Sequence, residues 1–325
     1  MDRTWGFWTR DKLDILSEYL PAFTTAAKSA RASVYLDLFA GTLESTERGT
    51  DRVILGSAPR ALDVSPPFAR AYFFELPAVA SKLRKELELR HPGRADFEVV
   101  AGDSNDTVGE VLDDVKRRKL EWGAMFAFID PYNLGVRWST LESLARFKSR
   151  SKNKVELWIL CFSSAIPRVL GGDGEESISA DQVTTFFGTE QWTLIKDARD
   201  RGELSPAQSR EEYVNLYRWR IENVLGYSIT HTFEVKNISG SPLYHLILAT
   251  DNQAGSTIMS DVYRKAARKH EAMRREAFER RRLIREQDQG RASLFSAEEL
   301  AGIGPTEDAT YLHQPPWFPF GSATE

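Results

Sequence analysis

Short apolar runs alternate with stretches of helical spacing along most of this chain, and that alternation limits its fold more than any single motif. The runs "SVYLDLFA", "RAYFFEL", "DFEVVAG", "AMFAFIDPY" and "KVELWILCF" are rich in β-branched and aromatic residues and read as strands. Between them, "AVASKLRKELELR", "DTVGEVLDDVKRRK" and "WSTLESLARFK" carry apolar residues three and four apart, which predicts amphipathic helices. Strands separated by helices of this length form βαβ units with right-handed crossovers and a mostly parallel sheet. The expected fold class is therefore α/β, a doubly wound Rossmann-like sheet.

Two later strands, "SITHTFEVKN" and "LYHLILAT", are joined only by "ISGSP", too short for a helical crossover, so they pair antiparallel. Five parallel strands plus an antiparallel hairpin is the methyltransferase variant of the sheet, rather than the six parallel strands of a dinucleotide-binding domain. The expected domain, residues 34–259, follows an N-terminal helical segment, residues 1–33, whose Leu13, Leu16, Leu20 and Phe23 share a helix face. Residues 170–225 break the alternation: "GGDGEESIS" reads as a flexible loop and the rest as a helical insertion over the sheet's carboxyl edge. Residues 260–292 form a long charged helix with eleven Lys/Arg against six Asp/Glu. Residues 293–325, with "QPPWFPF", are expected to be a flexible tail.

Composition excludes several classes. A net charge of −4 argues against a surface that wraps nucleic acid as a whole, although the basic helix suits a phosphate backbone, a partner or plain solvation. No apolar run approaches the roughly 20 residues that span a bilayer, and the charged, aromatic start "MDRTWGFWTRDKLD" is no signal peptide. Cys161 is the single cysteine, so no intrachain disulfide or four-cysteine zinc site can form, and a reducing cytoplasm is the simplest setting. The five histidines are scattered without ligand spacing, and Cys161, inside an apolar run, reads as a buried inert thiol.

In open α/β sheets ligands bind beyond the carboxyl ends of the strands. Four positions fall there. Asp37, Phe39 and Gly41 form D-x-F-x-G; the glycine permits a sharp turn, after which a helix is expected to start. No G-x-G-x-x-G follows, which disfavours NAD; S-adenosylmethionine (SAM) has no pyrophosphate to cradle and fits better. A core strand ending in a turn glycine is the plainer alternative. Glu75 ends the second strand, where a carboxylate can accept from both ribose hydroxyls. Gly102 and Asp103 end the third; Asp103 can accept from an adenine amino group while Ser104 or Asn105 caps the next helix, and capping alone is the plainer reading. Asp130, Pro131 and Tyr132 form a rigid acid-proline-aromatic turn after the fourth strand. Enzymes that methylate amino groups of bases place a related turn here: the acid accepts from the exocyclic nitrogen and the ring stacks on the base. They carry two prolines; this chain carries one.

In order, "W-T-x-x-K-L-x-I-L", "Y-L-D-L-F-A-G", "G-S", "F-F-E", "G-D-S-N" and "F-I-D-P-Y" resemble the three-Cys-motif partner proteins (TcmP). The later "FFG…W", "YHLILATDNQAGSTIMSDVYRKA" and "ASLF" extend the resemblance over roughly residues 7–296. It implies a bacterial protein with a SAM-methyltransferase-type fold and a radical-SAM-like partner that holds the three cysteines. It also implies cofactor roles for Asp37, Phe39, Gly41, Glu75 and Asp103, and a catalytic turn at Asp130, Pro131 and Tyr132. The family usually has F-A-G-P-G, so Leu43 departs from it. Glu44 adds a charge that, about 5 Å from a cofactor carboxylate at an effective dielectric near 20, would cost roughly 3 kcal/mol unless it faces solvent. Two functions follow: methylation of an amino nitrogen, of a nucleobase foremost, or a catalytically silent scaffold that assembles through the basic helix or the "PPWFPF" tail.

Overall fold

The computed structural model describes residues 4–5, 7–30, 32–47, 53–148, 153–162, 179–288 and 311–321. In chain order the elements begin with β1 (Thr4–Trp5), α1 (Phe7–Ala26), β2 (Ser33–Asp37), β3 (Glu44–Glu47), β4 (Val53–Leu55) and α2 (Ser57–Leu62). Then come β5 (Arg70–Glu75), α3 (Pro77–Arg90), β6 (Phe97–Ala101), α4 (Ser104–Arg117), β7 (Ala124–Ile129), α5 (Trp138–Phe147) and β8 (Glu156–Cys161). The remainder is α6 (Ala180–Phe187), α7 (Trp192–Asp200), α8 (Pro206–Asn223), β9 (Ile229–Lys236), β10 (Pro242–Thr250) and α9 (Gln253–Asp288). The expected "GGDGEESIS" loop (but for Ser179) and the "ASLF" motif lie outside the described residues.

Seven strands form one sheet in the order β6-β5-β2-β7-β8-β10-β9. Pairs among β6, β5, β2, β7 and β8 are parallel, and β10 runs antiparallel to both β8 and β9. Counted within this sheet alone, the order is 3-2-1-4-5-7-6. The expected methyltransferase variant of the Rossmann-like sheet is the observed fold, with the hairpin strand β10 slotted between β8 and β9. A separate small sheet joins β1, β3 and β4.

Period-two patterning builds two cores. Val34, Leu36, Met125, Ala127, Ile129, Leu157 and Ile159 face one side, where they meet α4, α5 and α6 to α8. Tyr35, Phe73, Phe126, Phe128, Trp158 and Leu160 face the other, against α1, α2, α3 and α9. Both faces are covered, so the central strands read as nearly continuous apolar runs. Burial pushes the Cys161 thiol up to about 12, in line with an inert core residue. Among the described residues no helix is long and apolar enough to cross a membrane.

The structure places two of the expected segments. Within the 170–225 segment, expected over the carboxyl edge, α8 fills the crossover between β8 and β9 and packs on the sheet face. Its Tyr213, Tyr217 and Ile221 join the first core, with Tyr217 stacked on Phe186 at 4.4 Å. Residues 311–321, within the tail expected to be flexible, lie packed on α8 and across β9, with Tyr311 buried. Aromatic residues flanked by prolines explain this: the segment is already extended and carries apolar area to bury.

Gly188 ends α6 in a left-handed conformation, φ +65°, directly against Trp138. A Cβ there would stand 2.3 Å from the indole ring. Gly188→Ala should therefore lower stability by about 2–4 kcal/mol, combining backbone strain with overpacking. Urea denaturation at neutral pH checks this; a loss below about 1 kcal/mol would contradict this contact.

Candidate functional site

The chain leaves β2 across the tips of its neighbours. Leu38 N–H donates to Phe128 O and Ala40 N–H to Phe74 O, both at 3.0 Å, so residues 38–40 stay locked to β7 and β5. Gly41 then turns at φ +67°, and a Cβ there would meet nothing within 4 Å, which leaves its outer side open. Its N–H donates to Glu75 Oε2 at 2.8 Å, while Leu76 N–H donates to Oε1 at 2.9 Å. Gly102 N–H donates to the Glu75 carbonyl at 3.0 Å. Glu75 thus ties the tips of β2, β5 and β6 into one short chain of contacts.

Asp103 caps α4: its Oδ1 accepts from the N–H and the Nδ2 of Asn105, each at 2.9 Å. Its other oxygen, Oδ2, lies 3.5 Å from Arg137 Nη2, and the side chain remains 40% exposed. Asn105 is a hub. Its Nδ2 also donates to Gly135 O at 2.8 Å, and its Oδ1 accepts from Arg137 N–H and the Thr140 hydroxyl at 2.9 and 2.7 Å. The loop after β6 is thereby stitched to the loop after β7, which carries Asp130, Pro131 and Tyr132.

In that second loop Pro131 is buried, and a Cβ added at Gly135 would lie 3.5 Å from it and 4.0 Å from the Phe39 ring. Phe39 therefore lies beneath the turn. Tyr132 stands 74% exposed, with a free ring face. Asp130 Oδ2 pairs with Lys12 Nζ, which reaches over from α1. Asp37 lies fully buried behind it. Burial pushes its carboxyl up to about 7, the Ser57 hydroxyl opposes this, and the negative charge of Asp130 adds to it.

One local expectation is overturned. No helix follows Gly41; the chain instead makes the β3–β4 excursion, and helix α2 begins only at Ser57. Thr46, Val53 and the buried Ile54 favour strand over helix here. Gly56 closes the excursion: its N–H donates to Leu43 O at 2.8 Å, and a Cβ would lie 2.5 Å from Thr42 O. Position 43, where the F-A-G-P-G pattern has its second glycine, carries Leu43, and Gly56 makes its own close backbone approach after the excursion. Leu43 packs against the second core, and Glu44 is exposed.

Sequence reasoning missed Lys12, Ser57, Asn105 and Arg137. Lys12 had a signal, since it falls in the "W-T-x-x-K-L" motif, but nothing in a sequence places α1 against β7. Asn105 read only as a helix cap. A hollow of about 590 Å³ lined by Arg70, Asp96 and Arg118 sits instead at the amino ends of β5 and β6. Its arginines are already held, Arg70 by Glu98 and Arg118 by Asp114, so it offers no free cation.

The residues at the strand tips fit an adenosine-containing cofactor. Glu75 presents a partly exposed carboxylate beside an open glycine bend, and the Asp103 side chain is 40% exposed with its Oδ2 beside Arg137. No family model matches the chain, and no curated protein matches it. Among solved structures it is similar to a Legionella pneumophila protein described under the family model DUF519. That match has 13% identity, a TM-score of 0.37, and covers 73% of this chain and 82% of that one. It is also similar to the methyltransferase domain of bacterial CtHen1-C, at 14% identity and a TM-score of 0.35, covering 72% and 98%. At these values the fold rests on strand order, and the TcmP resemblance on its motifs.

Asp37 generates a pH prediction. Its folded value near 7 exceeds the ordinary 3.8, so folding binds a proton, and stability from this group falls as pH rises from about 4 to 7. Buried His231 and His245, both lowered to about 4, act in the opposite sense, losing stability as pH falls from 6.5 toward 4. Asp37→Asn isolates the first trend. Its stability relative to the unmodified chain should climb by on the order of 1 kcal/mol per pH unit across that window. A flat difference in urea denaturation would mean that Asp37 is ionised in the folded protein.

Proposed function

We propose that the chain is a SAM-dependent methyltransferase acting on an amino nitrogen, most naturally that of a nucleobase in DNA or RNA. The observation that carries this reading is the Gly41 N–H to Glu75 bond, which sets a glycine bend and a ribose-type acid side by side at adjacent strand tips. Phe39, Gly41, Glu75, Gly102 and Asp103 would hold the cofactor, Glu75 on the ribose diol and Asp103 on the adenine amine, with Asp37 buried beneath the glycine bend as its support. When bound, SAM supplies an activated methyl group.

The chain's own residues would then position the acceptor. Asp130 accepts a hydrogen bond from the amino group and orients its lone pair, and Tyr132 stacks on the base. Methyl transfer of this kind depends more on alignment than on a strong base. The acceptor must compete with Lys12, which already contacts Asp130. In the TcmP-like reading a radical-SAM-like three-Cys-motif protein is the partner, and the setting is a bacterial cytoplasm.

Helix α9 bears on the nucleic acid. His270 is level with the end of β9, because its Nε2 accepts from Lys236 N–H at 3.0 Å. The eighteen residues from Glu271 to Asp288 extend about 27 Å beyond that point, past the edge that carries the acids. Six arginines there face five acids, and Arg274, Arg275 and Arg282 pair with glutamates of the same helix. Phosphate tracking would have to break such pairs.

The second reading, a silent scaffold that assembles with a partner, is favoured by the Lys12–Asp130 pair, which occupies the acceptor's place. Calorimetric titration with SAM separates the two. Binding by the unmodified chain, with at least about a tenfold loss in Glu75→Ala, supports the enzyme; no heat at all leaves the scaffold. Tritiated methyl transfer to DNA, RNA or protein fractions, abolished in Asp130→Ala, then names the acceptor.

A further inference from the structure

One face of α8 is given over to residues 311–321. Asn215 makes a paired contact with an extended main chain: Trp317 N–H donates to its Oδ1 at 2.9 Å, and its Nδ2 donates to Trp317 O at 3.0 Å. One turn further, Arg218 Nη2 donates to Gln314 O at 2.6 Å. Trp317 Nε1 donates to Glu212 at 3.1 Å, and Phe318 meets Trp219 edge-on at 5.9 Å. At the near end the Tyr311 hydroxyl lies 2.8 Å from Nδ1 of His231 on β9.

Three features mark this as a recognition groove rather than incidental packing. Its central contacts go to backbone atoms, so they read an extended peptide whatever chain carries it. Pro315, Pro316 and Pro319 set that extension in advance and reduce the ordering cost. Arg218 is buried beneath the segment with its guanidinium on Thr230 and Gln314 O; burial lowers its pKa, with the Glu222 charge opposing. Uncovered, that cation loses a carbonyl partner, so an open groove favours a new one.

We propose that the groove between α8 and the β9 edge is a docking site for extended Pro-Pro-Trp-aromatic-Pro peptides of another protein, filled here in cis by residues 311–321. The 22 residues numbered 289–310 separate α9 from Tyr311 and, at about 3.3 Å each, can span on the order of 70 Å. A segment in cis competes with a partner's peptide through its effective concentration, so exchange needs a peptide that is in excess or held more tightly. The apolar side chains left half-exposed on the segment, Trp317 and Phe318, are the ones such a peptide would share.

The test uses a fluorescent synthetic peptide with the sequence of residues 311–321 and full-length chains. A Tyr311→Ala/Trp317→Ala variant, weakened in its own segment, should bind the peptide at least about tenfold more tightly than the unmodified chain. Adding Asn215→Ala should remove at least about tenfold of that gain. In the unmodified chain, excess peptide should speed hydrogen exchange within residues 311–321 while Thr230 and Thr232 stay protected. Equal peptide affinity in the unmodified and double-variant chains overturns the proposal. So does unchanged exchange of residues 311–321 at saturating peptide, an arm that stands even if the double variant fails to fold. Neither measurement involves SAM, so the outcome is separate from the methyltransferase reading.

Discussion

Burial on both faces of the central strands governs everything else in this molecule. All five residues of β2 and all six of β8 are buried, and β7 shows only Ala124 in part. A charged side chain in such a sheet would lose its hydration unless bonded, so chemistry is confined to the strand ends. Parallel pairing then gathers the carboxyl ends of β2, β5, β6 and β7 along one edge. Asp37 shows the cost of departing from this rule. It sits one step inside the edge, wholly buried, and it holds a proton well above the usual carboxylate range.

Helix α1 connects that edge to the far side of the sheet through buried polar contacts. His270 Nε2 accepts from Lys236 N–H, so Nδ1 carries the proton and donates to Asp11 Oδ2 at 2.6 Å. Deeper along the helix, Tyr19 O–H donates to Glu156 Oε2 at 2.6 Å, and Thr250 O–H to Oε1 at 2.9 Å. Buried groups of this kind add little net stability, because desolvation offsets most of the attraction. They do fix where the helix sits. Asp11 held by His270 sets the rotation of α1 that brings the next residue, Lys12, onto Asp130. Outer strand, long helix, first helix and central strand are thus joined by one run of polar contacts.

Much of this was legible in the sequence, and what was not shares one cause. The strands and their two-faced patterning could be read because period two is a local property. The hairpin followed from the shortness of "ISGSP". Glu75 and Asp103 could be placed at strand ends for the same reason. The contact of Gly56 with Leu43 and Thr42 was not legible, because it spans an excursion whose length no motif fixes. The "PPWFPF" segment read as loose, since its partners, Asn215 and Arg218, lie about a hundred residues earlier. A signal existed there: buried-helix spacing in α8 leaves Glu212, Asn215, Arg218 and Trp219 on a second face, and a mid-helix Asn and Arg need partners.

The Lys12–Asp130 pair bears on both readings of the site, and its geometry allows a comparison. A carboxylate has two oxygens, and Lys12 engages Oδ2. An acceptor amine approaching Oδ1 would find an acid whose rotamer is already fixed, so less entropy is lost on binding. The same pair weakens the pull that Asp130 exerts on an amine hydrogen, because its charge is shared with an ammonium. Methyl transfer to nitrogen tolerates that loss, since its barrier depends on in-line approach more than on base strength. A site that needed Asp130 as a full base would not. The pair is therefore compatible with catalysis by positioning, and it weighs against any mechanism in which Asp130 must remove a proton before the methyl group moves.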